Sequence, residues 1–173
     1  MGDFDKLPEE QFRKSMRCHA LKIYSMVFPE SELVDLRENG VNVHILDKEF
    51  GVDCLLNLKS GTWLSVQEKY RDNFALKYND FTQEYMNGDG RYGEWFKLGA
   101  QLYFYGWANQ DNSGFEKWFL MDIVKYKMII DKMGGIEKVG KLRKNDRCGS
   151  ATFYTIPIRL IRDSFITDYR KWK

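Results

Sequence analysis

The chain has 173 residues, of which 43% are hydrophobic and 30% charged, and its formal net charge is +2. This composition is typical of a single globular domain, which we predict to span residues 1–173. The apolar runs are too short for a membrane-spanning helix and no apolar leader is present, which argues against a membrane partner and favours a cytoplasmic location, while the small net charge leaves a nucleic-acid partner open.

The first predicted element is a helix that begins at Pro8. Proline in the first turn and acidic residues after it suit the positive end of a helix dipole. Apolar residues then recur at helical spacing, at positions Phe12, Met16, Ala20, Ile23 and Val27. Arg13 and Arg17 project from another side of this helix. That side is either solvated or directed at the phosphates of a nucleic acid.

Several short strands are predicted next, because β-favouring residues alternate between turn signals. The predicted strands are VNVHIL, VDCLLNL, TWLSVQEKYR, FTQEYM, QLYFYGW and KWFLMDI, with DKEFG as a turn and KSG as a hairpin turn. GEWFKL is predicted as a short helix or turn, and VKYKMIIDKM as a helix that stops at two glycines. Residues 134–150 form a basic connection, ATFYTIPI a last strand, and RDSFITDYRKWK a basic helical extension. This order predicts an α/β fold with a mixed central β-sheet flanked by helices.

The hairpin around KSG carries the most informative polar residues. Side chains alternate across a strand, so Gln67 and Lys69 share a face, and the short turn places Asp53 opposite Gln67. Glu68 points to the other face, where we expect it to pair with a basic residue of the first helix. A hard divalent cation prefers carboxylate, amide and carbonyl oxygens, and a nearby ammonium can orient a water. The pattern therefore indicates metal-assisted phosphodiester hydrolysis.

The stretch GVDCLLNLKSGTWLSVQEKYR resembles the core of the PD-(D/E)xK nuclease superfamily. In that motif an Asp near the start of one strand is followed by a short hairpin and by (D/E/Q)xK on the next strand. Members with Gln at the second position, such as Mrr-type restriction endonucleases and small phage proteins, are the most similar. The resemblance implies a restriction-endonuclease-like core, Mg²⁺ or Mn²⁺ as cofactor, and DNA as partner.

The same resemblance implies a role for each matched residue. Asp53 is the main metal ligand, Gln67 supplies an amide oxygen, and the backbone carbonyl of Glu68 completes the ligand set. Lys69 is the catalytic lysine. Gln67 stands where most members have a carboxylate, which lowers the charge of the site and predicts weaker metal affinity. Glu9 and Glu10 are the candidates for the acid that many members place on their first helix.

Other residues are predicted to take accessory or nucleic-acid-binding roles. Asp47 is either a second acid near the metal or a turn residue. Arg71 continues the face of Gln67 and Lys69, where it contacts a phosphate or forms a surface salt bridge. The basic residues predicted to contact nucleic acid are Arg13, Arg17, Lys141, Arg143 and Lys144.

The predicted function is a metal-dependent DNA endonuclease that hydrolyses phosphodiester bonds. Members of the superfamily often dimerise to cut both strands, so a homodimer is also implied. Two alternatives stay open. One is a non-catalytic nucleic-acid-binding or protein-interaction module on a degenerate nuclease fold, and the other is a nuclease that acts on RNA.

Overall fold

The computed structural model describes residues 8–36, 43–145 and 150–172. The helices are Pro8–Val27 (α1), Val43–Phe50 (α2), Glu94–Lys97 (α3), Ile123–Lys132 (α4), Ile136–Val139 (α5) and Ile158–Ile161 (α6). The strands are Glu32–Asp35 (β1), Cys54–Asn57 (β2), Trp63–Arg71 (β3), Asp80–Met86 (β4), Leu102–Ala108 (β5), Phe115–Asp122 (β6), Lys141–Asn145 (β7), Ala151–Pro157 (β8) and Phe165–Asp168 (β9). A 3-10 helix, Asn73–Tyr78, links β3 to β4.

The described strands form a six-stranded sheet of order β1-β2-β3-β5-β6-β9 and a three-stranded sheet of order β4-β8-β7. In the larger sheet β3 and β5 are parallel, and the other neighbours are antiparallel. Parallel neighbours need a crossover connection. Here the crossover runs through the 3-10 helix, β4 and α3, so it places a strand of the second sheet between β3 and β5 in the chain. The prediction of a mixed central sheet with helices is confirmed.

Apolar side chains cover both faces of the six-stranded sheet. On one face α1 packs through Ala20, Ile23 and Tyr24 against a cluster that includes Leu56 and Phe104. The opposite face packs against the three-stranded sheet and α4, and its buried residues include Tyr103, Tyr105, Phe81, Tyr154 and Tyr126. The two sheets therefore share one core. The crossover elements β4 and α3 lie over the face of the large sheet to which Lys69 and Arg71 of β3 point.

Two segments differ from the predicted elements before the hairpin. VNVHIL was predicted as a strand and DKEFG as a turn, but residues 43–50 form α2. A short apolar run does not distinguish a strand from a helix by periodicity alone. The first strand instead lies in the more polar segment Glu32–Asp35, where backbone pairing with β2 stabilises it.

The C-terminal part also differs from the prediction. The basic connection contains α5 and the strand β7, which pairs with β8. The extension predicted as a helix contains β9, which pairs with β6 at the edge of the large sheet. Phe165, Ile166 and Thr167 favour extended backbone, and the open edge of β6 supplies the hydrogen bonds. Residues 165–168 are therefore part of the central sheet.

Candidate active site

Asp53 lies at the entrance to β2, directly before the first paired residue of the hairpin. Its backbone N–H donates to the Val66 carbonyl (2.9 Å), which continues the antiparallel register and puts Asp53 opposite Gln67. The carboxylate is buried, with 3% of the residue exposed. Its Oδ2 accepts hydrogen bonds from Gln67 Nε2 (2.7 Å) and from the Glu68 backbone N–H (2.8 Å). The structure thus brings together Asp53, Gln67 and the backbone of Glu68.

The amide oxygen of Gln67 makes no hydrogen bond within the described part of the chain. This atom, Oε1, is buried. Gly51 lies beside it: a Cβ at Gly51 would sit 3.0 Å from Gln67 Oε1, and the φ of +57° is one that glycine adopts readily. The absence of a side chain at Gly51 therefore leaves room beside the amide oxygen.

Lys69 lies on the same face of β3 and contacts an acid that the sequence analysis did not select. Its Nζ is 3.4 Å from Glu94 Oε2, and Glu94 stands at the start of α3 in the crossover. Glu94 also accepts hydrogen bonds from Tyr103 OH (2.5 Å) and Gln83 Nε2 (2.8 Å). Burial raises the pKa of Tyr103, and the Glu94 carboxylate raises it further. Tyr103 is therefore protonated at neutral pH and donates to Glu94.

Glu68 points to the opposite face, towards α1. Its carboxylate pairs with Arg17 and accepts a hydrogen bond from Tyr24 OH (2.7 Å). Arg17 also lies 3.0 Å from Asp35, and only 8% of Arg17 is exposed. The predicted pairing of Glu68 with a basic residue of the first helix is confirmed.

This ion cluster corrects the surface position predicted for Arg17. The guanidinium is buried between two carboxylates, which supply the compensating charge that a buried cation requires. It is therefore not placed to contact the phosphates of a nucleic acid. Burial together with the charge of Glu68 raises the pKa of the Cys54 thiol, so this neighbouring group is uncharged at neutral pH.

A groove of about 960 Å³ opens next to Lys69. Its basic lining residues are Arg13, Lys69, Arg71 and Lys144, and its aromatic ones are Phe12, Tyr70 and Phe153. Arg71 also contacts Thr82 Oγ1 of β4 through Nη1 (3.3 Å). Lys141 and Arg143 are exposed on β7 but do not line the groove. The fold thus gathers Arg13, Arg71 and Lys144 around one groove.

The side chains of Glu9, Glu10 and Asp47 lie outside the described residues. Within the described ranges, no group of three or more His, Cys, Asp or Glu residues could hold a metal. A cation at Asp53 would therefore depend on amide, carbonyl and water oxygens for the rest of its shell, which are acceptable ligands for Mg²⁺ or Mn²⁺.

Glu94, Gln83 and Tyr103 are the site neighbours that the sequence analysis missed. Glu94 is recognisable only as an acid in the first turn of a short helix after Gly93. Nothing in its spacing from Lys69 indicates contact, because the crossover that joins them is not periodic. Tyr103 reaches the site through the parallel pairing in which it stands opposite Gln67. Long-range pairing of this kind has no local sequence signal.

Comparison of the chain with protein families, with curated proteins and with solved structures found no match. Among the described helices, none has the length and apolar character needed to span a membrane.

Proposed function

We propose that the protein is a divalent-metal-dependent endonuclease that hydrolyses phosphodiester bonds of DNA. One observation carries the proposal: Asp53, Gln67 and the backbone of Glu68 converge at the base of a hairpin, and Lys69 follows on the same strand at the mouth of a groove. Oxygen ligands beside an ammonium group are the arrangement that metal-assisted hydrolysis requires.

The residues present fit a bound Mg²⁺ or Mn²⁺ ion. The Asp53 carboxylate supplies negative charge, and the buried Gln67 Oε1 is an oxygen without a hydrogen-bond partner among the described residues. Gly51 leaves space beside that oxygen. The Glu68 carbonyl lies 3.4 Å from Gln67 Nε2, in the same small region. Because Nε2 of Gln67 faces Asp53 and the Glu68 carbonyl, these three residues would hold the ion with the Gln67 amide turned over. The ion would lower the pKa of a bound water and polarise the phosphate.

The other groups of the site act on water and phosphate. The Lys69 side chain is 26% exposed, and its Nζ, near Glu94, can donate to the attacking water or to the charge that develops on the phosphate. Glu94, held by Tyr103 and Gln83, orients the lysine side chain. Arg71, two residues further along the same face, is placed for a phosphate oxygen in the groove.

The test is cleavage of supercoiled plasmid, linear duplex and single-stranded DNA in the presence of Mg²⁺, Mn²⁺ or EDTA. We expect cleavage with metal and none with EDTA. Asp53→Asn and Lys69→Met should each lower the rate by about 100-fold or more, because each removes a ligand or a proton donor. Asp131→Asn and Lys132→Met, which change exposed groups on α4, serve as matched controls and should cleave at the wild-type rate. Cleavage that survives both site variants, or its absence with every metal, would overturn the proposal.

A non-catalytic nucleic-acid-binding module is the second candidate, and one observation favours it. Asp53 Oδ2 already accepts two hydrogen bonds within the hairpin, which is also how a structural carboxylate behaves. Binding of DNA or RNA oligonucleotides in EDTA, without cleavage in any metal, would support this candidate. The same oligonucleotide panel distinguishes a DNA-acting from an RNA-acting nuclease.

A further inference from the structure

The groove beside Lys69 is built from three layers of the fold. The N-terminal part of α1 contributes Phe12 and Arg13, and the end of β3 contributes Lys69 and Arg71. The third wall is the small sheet, with Lys144 on β7 and residues 151–153 on β8. The groove is therefore concave. It lies across the end of β3, between α1 on one face of the large sheet and the small sheet on the other, and it includes Lys69 of the candidate active site.

The charges in the groove suit a polyanion. Arg13, Arg71 and Lys144 bring positive charge to its walls. Three acids also line it, namely Glu68, Asp72 and Glu84, and the first two are engaged within the fold. The Glu68 side chain is 2% exposed and is paired with Arg17. Asp72 accepts a hydrogen bond from the Ala75 N–H as the N-terminal cap of the 3-10 helix.

Aromatic rings alternate with these cations. Tyr70 is fixed against Phe104 and Phe115, with ring centroids 6.0 and 5.5 Å away. Phe12 and Phe153 are half-buried and belong to the lining of the groove. Sequence-tolerant binding of single strands combines a basic groove along the backbone with aromatic side chains on which bases stack. The groove contains both components.

We propose that this groove binds an unpaired strand of DNA, with bases against Phe12 and Phe153 and phosphates near Arg13, Arg71 and Lys144. Paired bases in a duplex offer only their edges in the grooves, so aromatic faces inside a concave site have nothing to stack on unless the strands separate. The substrates of the proposed nuclease are then single strands, flaps and splayed ends. The inference rests on the proposed function for the cleavage step, whereas strand binding is independent of it.

The test measures binding by the full chain in EDTA, where cleavage does not interfere. Fluorescence anisotropy is recorded with a labelled 20-nucleotide oligo-dT, a blunt 20-base-pair duplex and a duplex with splayed arms. We expect oligo-dT and splayed arms to bind at least 10-fold more tightly than the duplex. Phe12→Leu and Phe153→Leu keep apolar bulk, and each should weaken oligo-dT binding by about 5- to 100-fold without affecting the duplex.

Trp172→Leu is the control, because Trp172 is an exposed aromatic residue after β9, three strands away from β3 in the sheet. It should leave both affinities unchanged, and circular dichroism and thermal melting check that each variant is folded. Equal affinity for duplex and single strand, or unchanged oligo-dT binding in both phenylalanine variants, would overturn the inference. Plasmid cleavage without strand preference leaves the proposed function standing and removes the inference. Preference for the single strand without cleavage of any DNA would overturn the proposed function and leave the inference standing.

Discussion

Gln67 combines two opposed properties in one side chain. Its amide nitrogen neutralises part of the field of Asp53 by donating to Oδ2, while its amide oxygen is buried without a partner in the described chain. A glutamate at this position would instead put two carboxylates in hydrogen-bond contact. Two carboxylates in such contact are stable together only with a shared proton or a bound cation. The glutamine thus keeps the hairpin stable without a bound metal, but it offers a metal ion one negative charge less than a glutamate would.

Replacement of this amide by a carboxylate tests that account. We expect Gln67→Glu in EDTA to lower the free energy of unfolding by about 1–2 kcal/mol at pH 7.5. The new pair holds a proton in the folded state that the unfolded chain releases, so the loss should grow as pH rises above about 5 and should disappear at lower pH.

Mg²⁺ or Mn²⁺ should restore stability in this variant, measured as a larger rise in Tm than the wild type shows. Gln11→Glu, on the exposed surface of α1, is the control and should respond to neither pH nor metal. A Gln67→Glu protein with wild-type stability in EDTA would show that the two side chains are not coupled.

At the scale of elements, α3 is the short helix that carries Glu94 to Lys69. It is attached to α4 by Lys127, whose Nζ donates to the Trp95 carbonyl (2.5 Å) and lies 3.6 Å from the centre of the Trp95 ring. Burial lowers the pKa of Lys127 from 10.5 to about 8, and the nearby Glu94 opposes this shift. A one-turn helix has little stability of its own. Its position therefore depends on this lysine contact and on its packing.

The lowered pKa predicts a pH dependence of stability. Between pH 8 and about 10.5 the unfolded chain binds a proton at Lys127 that the folded chain has lost, so this group makes stability rise with pH. In Lys127→Met that contribution should be absent. Urea unfolding at pH 8 and pH 10 measures it as a difference between the two proteins, since other groups titrate equally in both.

Lys125→Met, which changes an exposed residue of the same helix, should follow the wild type. Parallel pH profiles of wild type and Lys127→Met would contradict the account of this contact.

The sequence predicted local geometry well where one strict period governs it. Alternation along β3 separated Gln67 and Lys69 from Glu68, and the length of the KSG turn set Asp53 opposite Gln67. It failed where an apolar run lacked a decisive period, as in residues 43–50, and where pairing joins distant segments. The contact between Lys69 and Glu94 depends on the parallel register of β3 with β5 and on the path of the crossover. Both are set by packing of the whole sheet.

At the scale of the molecule, the C-terminal segment completes the sheet. Phe165 of β9 stacks on Phe119 of β6, with ring centroids 4.2 Å apart and planes 10° from parallel. Phe119 is a buried residue of the core shared by both sheets. An extension without a structural role would have no such contact. The segment around β9 therefore contributes to the stability of the whole fold.

Replacement of Phe165 by alanine measures how much this ring contributes to the stability of the fold. Phe165→Ala should lower the free energy of unfolding by about 2–3 kcal/mol, somewhat less than for a fully buried phenylalanine because Phe165 is only half-buried. Ile166→Ala, at a neighbouring position of β9 that is 38% exposed, is the control and should cost under about 1 kcal/mol. Urea denaturation gives both values. Equal effects of the two substitutions would mean that β9 does not belong to the core.

The crossover between β3 and β5 also bears on the order in which the site is assembled during folding. The β2–β3 hairpin joins residues close in sequence, whereas the crossover between Lys69 and Glu94 contains β4, which pairs with β8 some 70 residues further along the chain. Contacts of large sequence separation form late because closing the longer loop costs more entropy. We therefore expect a nascent or partly folded chain to contain Asp53 beside Gln67 but to lack the carboxylate that holds Lys69, so that the complete site arises only when nearly the entire chain has folded.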